Sequence, residues 1–145
     1  MTSPTKLTRE SLRIALIDDD EDDCDLLQAG LTNAGFAQPL IHFEDAKTAL
    51  DYFKYMQATG SSALHIVLLD MNMPFLDGTD ALFLLREASA FRDLPVIILT
   101  ASDDPAKRRA VAHMGIFRFL KKHYNSSLVI SALDDFIGLY NHENA

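Results

Sequence analysis

His65-Ile66-Val67-Leu68-Leu69-Asp70-Met71-Asn72-Met73-Pro74 is the stretch that decides the fold. A short unbroken apolar run closes on one aspartate. A strand covered on both faces reads this way, because neither set of alternating side chains meets water. Pro74 stops any regular element, and Asp77-Gly78 marks a turn before the next helical pattern. In open parallel sheets, ligands gather outside the carboxyl ends of the strands. Asp70 therefore stands where chemistry is done. Alone, an aspartate in this place serves a loop turn equally well. The weight comes from other strands that end in the same manner.

Upstream, Arg13-Ile14-Ala15-Leu16-Ile17 is a first buried strand that runs into Asp18-Asp19-Asp20-Glu21-Asp22-Asp23. Carboxylates at a helix start are favoured by free N–H groups and the helix dipole. The helix that follows carries Leu26, Leu27, Gly30, Leu31 and Ala34 and stops near Gly35. Leu40 to Phe43 is a second strand. Asp45 caps a helix with Ala46, Ala49, Leu50, Phe53 and Met56 on its apolar side, and Gln57 to Ser62 reads as a polar loop. After the third strand, Ile66 to Leu69, a helix spans about Thr79 to Ala88.

Pro95-Val96-Ile97-Ile98-Leu99 is the fourth strand and leads into Thr100-Ala101-Ser102. Asp103-Asp104-Pro105 opens a fourth helix, with proline where its missing N–H costs nothing, and Gly115 closes it. Phe117 to Leu120 is a fifth strand that delivers Lys121 and Lys122. Ser126 or Ser127 caps a last helix to about Tyr140. Strand and helix alternate throughout, which predicts an α/β fold with a five-stranded parallel sheet and helices on both faces. The natural strand order is flavodoxin-like, 2-1-3-4-5.

With 145 residues, one domain is expected: a flexible arm over 1–11, the domain over 12–145, and no output domain. The formal net charge is −8, which speaks against nucleic acid as a partner because phosphates repel it. The lone Cys24 cannot form an internal disulfide, so a cytoplasmic location is natural. Met1 to Glu10 has no apolar core of a signal peptide, and no apolar run has the length to span a membrane.

The expected strand order brings Asp18, Asp19, Asp70, Thr100 and Lys122 to one edge. Carboxylates this close repel one another unless a cation neutralises them. All-oxygen ligands suit Mg²⁺, which often shares its shell with phosphate. A lysine and a hydroxyl bind phosphate oxygens, and an aspartate can accept a phosphoryl group. The pattern thus points to phosphoryl transfer onto a carboxylate.

These residues resemble the receiver domain of two-component response regulators. The resemblance rests on Ile17-Asp18-Asp19-Asp20, Leu69-Asp70-Met71-Asn72-Met73-Pro74 with Asp77-Gly78, Pro95 to Ala101, and a lysine after the fifth strand. It covers roughly Leu12 to Tyr140. It implies that Asp70 takes the phosphoryl group from a phosphohistidine of a histidine kinase. Asp19 would bind Mg²⁺ directly, Asp18 through water, and Asn72 through its backbone carbonyl. Thr100 would bond a phosphoryl oxygen and move with Phe119, Lys122 would pair with the phosphoryl group, and Ala101 would leave the site open. The family usually follows its lysine with a proline, often with a cis peptide bond. Here His123 follows Lys122, and a non-proline cis bond costs about 2.5–4 kcal/mol, so a trans bond is expected. The loop after the second helix and the non-proline residue resemble small regulators encoded with bacterial phytochrome kinases.

Other readings stay open at this level. A haloacid-dehalogenase-like phosphatase would use Asp18 as nucleophile, Asp20 as acid/base and Thr100 on the phosphate, but Asp22 stands where that motif wants Thr or Val. A receiver-like adaptor would take no phosphate. A calcium loop fails, because Asp23 and Ala29 stand where it needs Gly and Glu. Glu21, Asp22 and Asp23 read as a solvated helix start. The apolar residues of the last helix, Leu128 to Tyr140, cover an arc of roughly 200°, more than one sheet face needs. A homodimer or a kinase contact through helix four, strand five and helix five is expected, with Lys107, Arg108 and Arg109 facing Asp134 or Asp135 of a second copy. The alternative is that this surface packs under the N-terminal arm.

Overall fold

The structure, a computed structural model, describes residues 6–60, 64–72, 78–87, 92–101, 105–122 and 126–144. Strands β1 (Ile14–Ile17), β2 (Ile41–Phe43), β3 (Ile66–Asp70), β4 (Val96–Thr100) and β5 (Ile116–Lys121) form one sheet in the order β2-β1-β3-β4-β5. Every pair is parallel. Helices α1 (Glu21–Asn33), α2 (Ala46–Thr59), α3 (Gly78–Glu87), α4 (Pro105–Val111) and α5 (Ser127–Glu143) alternate with the strands. The expected fold class and strand order are those observed.

Two cores explain why β1, β3 and β4 are apolar without a break. Ala15, Ile17, Val67, Leu69, Val96 and Ile98 pack against Ala49, Leu82, Leu85 and Val111. Their strand neighbours Ile14, Leu16, Ile66, Leu68, Ile97 and Leu99 pack against Leu31, Val129, Leu133 and Phe136 on the other face. A period of two sends adjacent side chains to opposite faces, so a sheet covered twice needs apolar residues at both. Each such Val, Leu, Ile or Phe side chain contributes about 1.5–3 kcal/mol by its burial.

The helix starts follow capping chemistry. Asp20 accepts the Asp23 N–H at 3.2 Å and Asp45 accepts the Thr48 N–H at 2.7 Å. Those bonds from Thr48 hold the Asp45 carboxyl below the ordinary range. Some ends differ from expectation. The expected loop from Gln57 begins later, because α2 continues to Thr59 and closes on Gly60 at φ 68°. The fourth helix stops at Val111, short of Gly115, and a turn with Met114 N–H on the Val111 carbonyl (2.9 Å) follows. Ser126 precedes α5 but makes no side-chain cap bond, and α5 runs past Tyr140 to Glu143.

Leu7 and Arg9 anchor the segment before β1 on α5. Leu7 is buried, and its backbone exchanges hydrogen bonds with the Asn141 side chain at 2.8 and 2.9 Å. Arg9 donates to both Asp134 oxygens at 2.9 and 2.6 Å and to the Ala34 carbonyl at 2.6 Å. The physical reason is the wide apolar arc of α5, which gives Leu7 somewhere to bury. Tyr140 meets the His65 ring at 5.8 Å and Phe136 at 6.0 Å. Leu128 and Leu139 stay exposed. Among the described residues, no helix is long and apolar enough to cross a membrane.

Candidate functional site

Register assembles the site. Ile17 lies beside Leu69, so the next residues, Asp18 and Asp70, leave the sheet side by side. Asp18 is 1% exposed and Asp70 2%. A buried carboxylate must be hydrogen-bonded or paired. Asp18 Oδ1 accepts the Asp20 N–H and Asp70 Oδ1 accepts the Asn72 N–H, each at 2.9 Å. Both remaining oxygens accept from Lys122 Nζ, at 2.8 Å for Asp18 and 3.2 Å for Asp70.

Asp18, Asp19 and Asp70 each place a carboxylate oxygen within 4.8 Å of the others, with Asp19 exposed to solvent. This donor set fits Mg²⁺: hard oxygens, few in number, with one side open to water. Burial pushes the Asp18 carboxyl up to about 6, against the pull of Lys122 and the Asp20 N–H. Burial also opposes the charge on Lys122, but its hydrogen bonds to Asp18 and Asp23 outweigh that and raise it above the ordinary lysine value. One cation thus faces several carboxylates, and the site has room for more positive charge.

The two candidate lysines separate cleanly. Lys121 closes β5 opposite Thr100 with its side chain exposed. Lys122 donates its backbone N–H to the Thr100 carbonyl at 2.7 Å and brings its ammonium to the aspartates. Asp23 is the residue sequence reasoning missed: its Oδ2 is 2.7 Å from Lys122 Nζ. Its signal was merged with those of Glu21 and Asp22, since all three suit a helix start. Asp20, the acid/base of the phosphatase reading, is engaged as the N-cap of α1.

The remaining expected residues lie around this centre. Thr100 is 9% exposed at the end of β4, and the Asn72 amide approaches its Oγ1 at 3.5 Å. Lys107 Nζ is 3.5 Å from Asn72 Oδ1. Phe119 is half-buried on β5 against the core, with the Arg108 guanidinium 5.4 Å from its ring centre. His42 Nε2 lies 2.6 Å from the Asp18 carbonyl; a carbonyl only accepts, so Nε2 donates. Met73, Pro74, Asp77 and His123, with the expected turn and the expected trans bond, lie outside the described residues.

A pocket of about 230 Å³ opens beside the aspartates. Leu26 and Leu27 of α1 and Leu128 and Val129 of α5 form its apolar walls, and Asp18, Asp23 and Lys122 its polar end.

The family model of the response regulator receiver domain matches residues 14–134. The chain belongs to this family. It is 30% identical over 106 residues to the probable methanogenesis regulatory protein FilR2 of Methanothrix harundinacea, covering 72% of this chain and 68% of that protein. It is 36% identical over 126 residues to the transcriptional regulatory protein QseB of Haemophilus influenzae, covering 87% of this chain and 52% of QseB. The chain thus spans about half the length of that relative. Among solved structures it is similar to the bacteriophytochrome response regulator AtBRR, with a TM-score of 0.70 and 26% identity over 86% of this chain and 92% of that one. Receiver domains work with histidine kinases and are typically phosphoacceptors rather than enzymes in the classical sense. The acidic trio of this chain is consistent with that role.

Proposed function

We propose that this protein is a response regulator in which Asp70 accepts a phosphoryl group from a kinase phosphohistidine. The observation that carries the reading is the acidic trio: Asp18, Asp19 and Asp70 within 4.8 Å, with Lys122 donating to Asp18 and Asp70. In the transfer, an Asp70 carboxylate oxygen attacks phosphorus and the P–N bond breaks. Its electron pair returns to the imidazole ring. Asp18, Asp19, Asp70 and the Asn72 carbonyl are the residues that would hold Mg²⁺, which would supply positive charge to the phosphoryl oxygens. Lys122 balances the same charge from the other side, and Thr100 offers its hydroxyl to a phosphoryl oxygen. Ala101 leaves the approach uncluttered.

The similarity to AtBRR supports a bacteriophytochrome as the kinase. The output passes from Thr100 and Phe119 to the face of α4, β5 and α5, where a downstream protein, a phosphotransfer partner or a second copy docks. Asp134 and Asp135 are held by Arg9 and Arg118 within the chain, so a homodimer on this face uses the exposed Leu139 more than those carboxylates. The working place is the cytoplasm, and nucleic acid is not a partner.

Labelling with acetyl phosphate tests the reading. Wild type takes up one phosphoryl group in Mg²⁺ and none in excess EDTA, and Asp70→Asn takes up none. Equal labelling of Asp70→Asn overturns it.

A further inference from the structure

Lys122 is held by three carboxylates, and two of them have a second claim on their oxygens. Its Nζ lies 2.8 Å from Asp18 Oδ2, 3.2 Å from Asp70 Oδ2 and 2.7 Å from Asp23 Oδ2. Asp18 and Asp70 belong to the trio that fits a divalent cation; Asp23 does not. An ammonium and a divalent cation that draw on the same carboxylates repel each other as well as compete. The Lys122 side chain is 21% exposed and that of Asp23 30%, so solvent only partly screens this contest.

We propose that Asp23 is a positioning residue that holds the Lys122 ammonium when Asp18 and Asp70 bind the metal. The inference rests on the phosphoacceptor reading and adds a residue to it. Three features support it. The Asp23 contact is the shortest of the three. Asp23 sits in the first turn of α1, whose start is fixed by the bond from the Asp23 N–H to Asp20, so its carboxylate is anchored from the backbone. Lysine has a long flexible stem with rotatable donors, so its head can shift between acceptors without moving β5. Without Asp23, Lys122 either stays on the metal's oxygens or stands unpaired beside a second cation. Both outcomes weaken metal binding.

The alternative is that Asp23 adds only negative charge near the site. Asp22 supplies the control, since it is an exposed carboxylate in the same helix turn. Mg²⁺ affinity is measured by calorimetric titration of the full chain, without phosphodonor. Asp23→Asn weakens Mg²⁺ binding about five- to tenfold, the size of a coupling between neighbouring groups. Asp22→Asn changes it less than twofold, and Asp23→Glu restores most of the loss. In a Lys122→Gln background the effect of Asp23→Asn shrinks to that of Asp22→Asn, because the lysine it acts through is gone. Equal losses for Asp23→Asn and Asp22→Asn overturn the inference. So does a loss from Asp23→Asn that persists undiminished beside Lys122→Gln. Phosphoryl labelling of wild-type Asp70, scored separately, keeps failure of the phosphoacceptor reading apart from failure of this one.

Discussion

Lys122 Nζ lies 3.2 Å from Asp70 Oδ2 across 52 residues of chain. The contact is built by sheet register. β4 pairs with β5 up to Thr100 and Lys121, and the Lys122 N–H extends the pairing to the Thr100 carbonyl at 2.7 Å. β3 pairs with β4 so that Asp70 stands opposite Leu99. Two parallel ladders thus set an ammonium and a carboxylate face to face, both mostly removed from water.

This pairing predicts how Lys122→Met behaves without metal. Asp18 and Asp70 stay buried and lose a counter-charge. Removing one partner of a buried pair is strongly destabilising, and the partial exposure of Lys122 reduces the cost, so the loss is about 2–3 kcal/mol. Urea unfolding at neutral pH in EDTA measures it. Adding Mg²⁺ recovers part of the loss by supplying positive charge to the same carboxylates. An unchanged unfolding midpoint in EDTA contradicts the prediction.

Two glycines in helices should respond oppositely to alanine. A Cβ on Gly30 collides with Ser126 Oγ and Ser126 Cβ, whereas nothing lies within 4 Å of one on Gly138. Gly138→Ala gains the helix preference of alanine, roughly 0.5–1 kcal/mol. Gly30→Ala forces α1 away from the start of α5 and costs about 1–3 kcal/mol net. Thermal unfolding of both variants tests the pair. Stabilisation by both would show that α1 and Ser126 are not in close contact.

The strands and their order were legible because a sheet covered on both faces writes itself as unbroken apolar runs, and β1, β3 and β4 are such runs. Asp18, Asp70 and Thr100 were legible for the same reason: each is the first polar residue after a run. What lay hidden depended on side-chain reach. Asp23 looks like its acidic neighbours until α1 is placed over the sheet. Arg86 carried no signal, yet its guanidinium donates to the carbonyls of Arg92, Leu94, Met114 and Gly115 and ties the end of α3 to the entries of β4 and β5. Leu7 could not be assigned from an otherwise polar arm, because its partner surface lies on α5, at the far end of the chain. The helix ends at Thr59 and Val111 differ from expectation where glycine position and composition give conflicting stops.

His65 predicts a pH effect on stability. Its Nδ1 accepts the Arg13 N–H at 2.9 Å, so the folded protein favours the neutral ring. Burial, then the charge of Arg13, lower its pKa from 6.5. The unfolded chain therefore binds a proton that the folded one resists. The contribution is whole above about pH 6.5 and declines as pH falls toward the folded value. Asp18, raised from 3.8 to about 6, acts in the opposite direction below pH 6. The comparison is therefore made against His65→Gln by urea unfolding at pH 7.5 and 5.5. Wild type loses more stability than the variant over that interval. Equal losses would mean that His65 titrates alike folded and unfolded.

In the proposed reaction the phosphoryl group goes to Asp70. The most direct measurement is borohydride reduction after exposure to acetyl phosphate and Mg²⁺, followed by peptide mass mapping. Reduction of an aspartyl phosphate leaves homoserine at the modified position. Homoserine is expected at 70, and nowhere else. Homoserine at 18, or none at any position in protein that binds Mg²⁺, contradicts it.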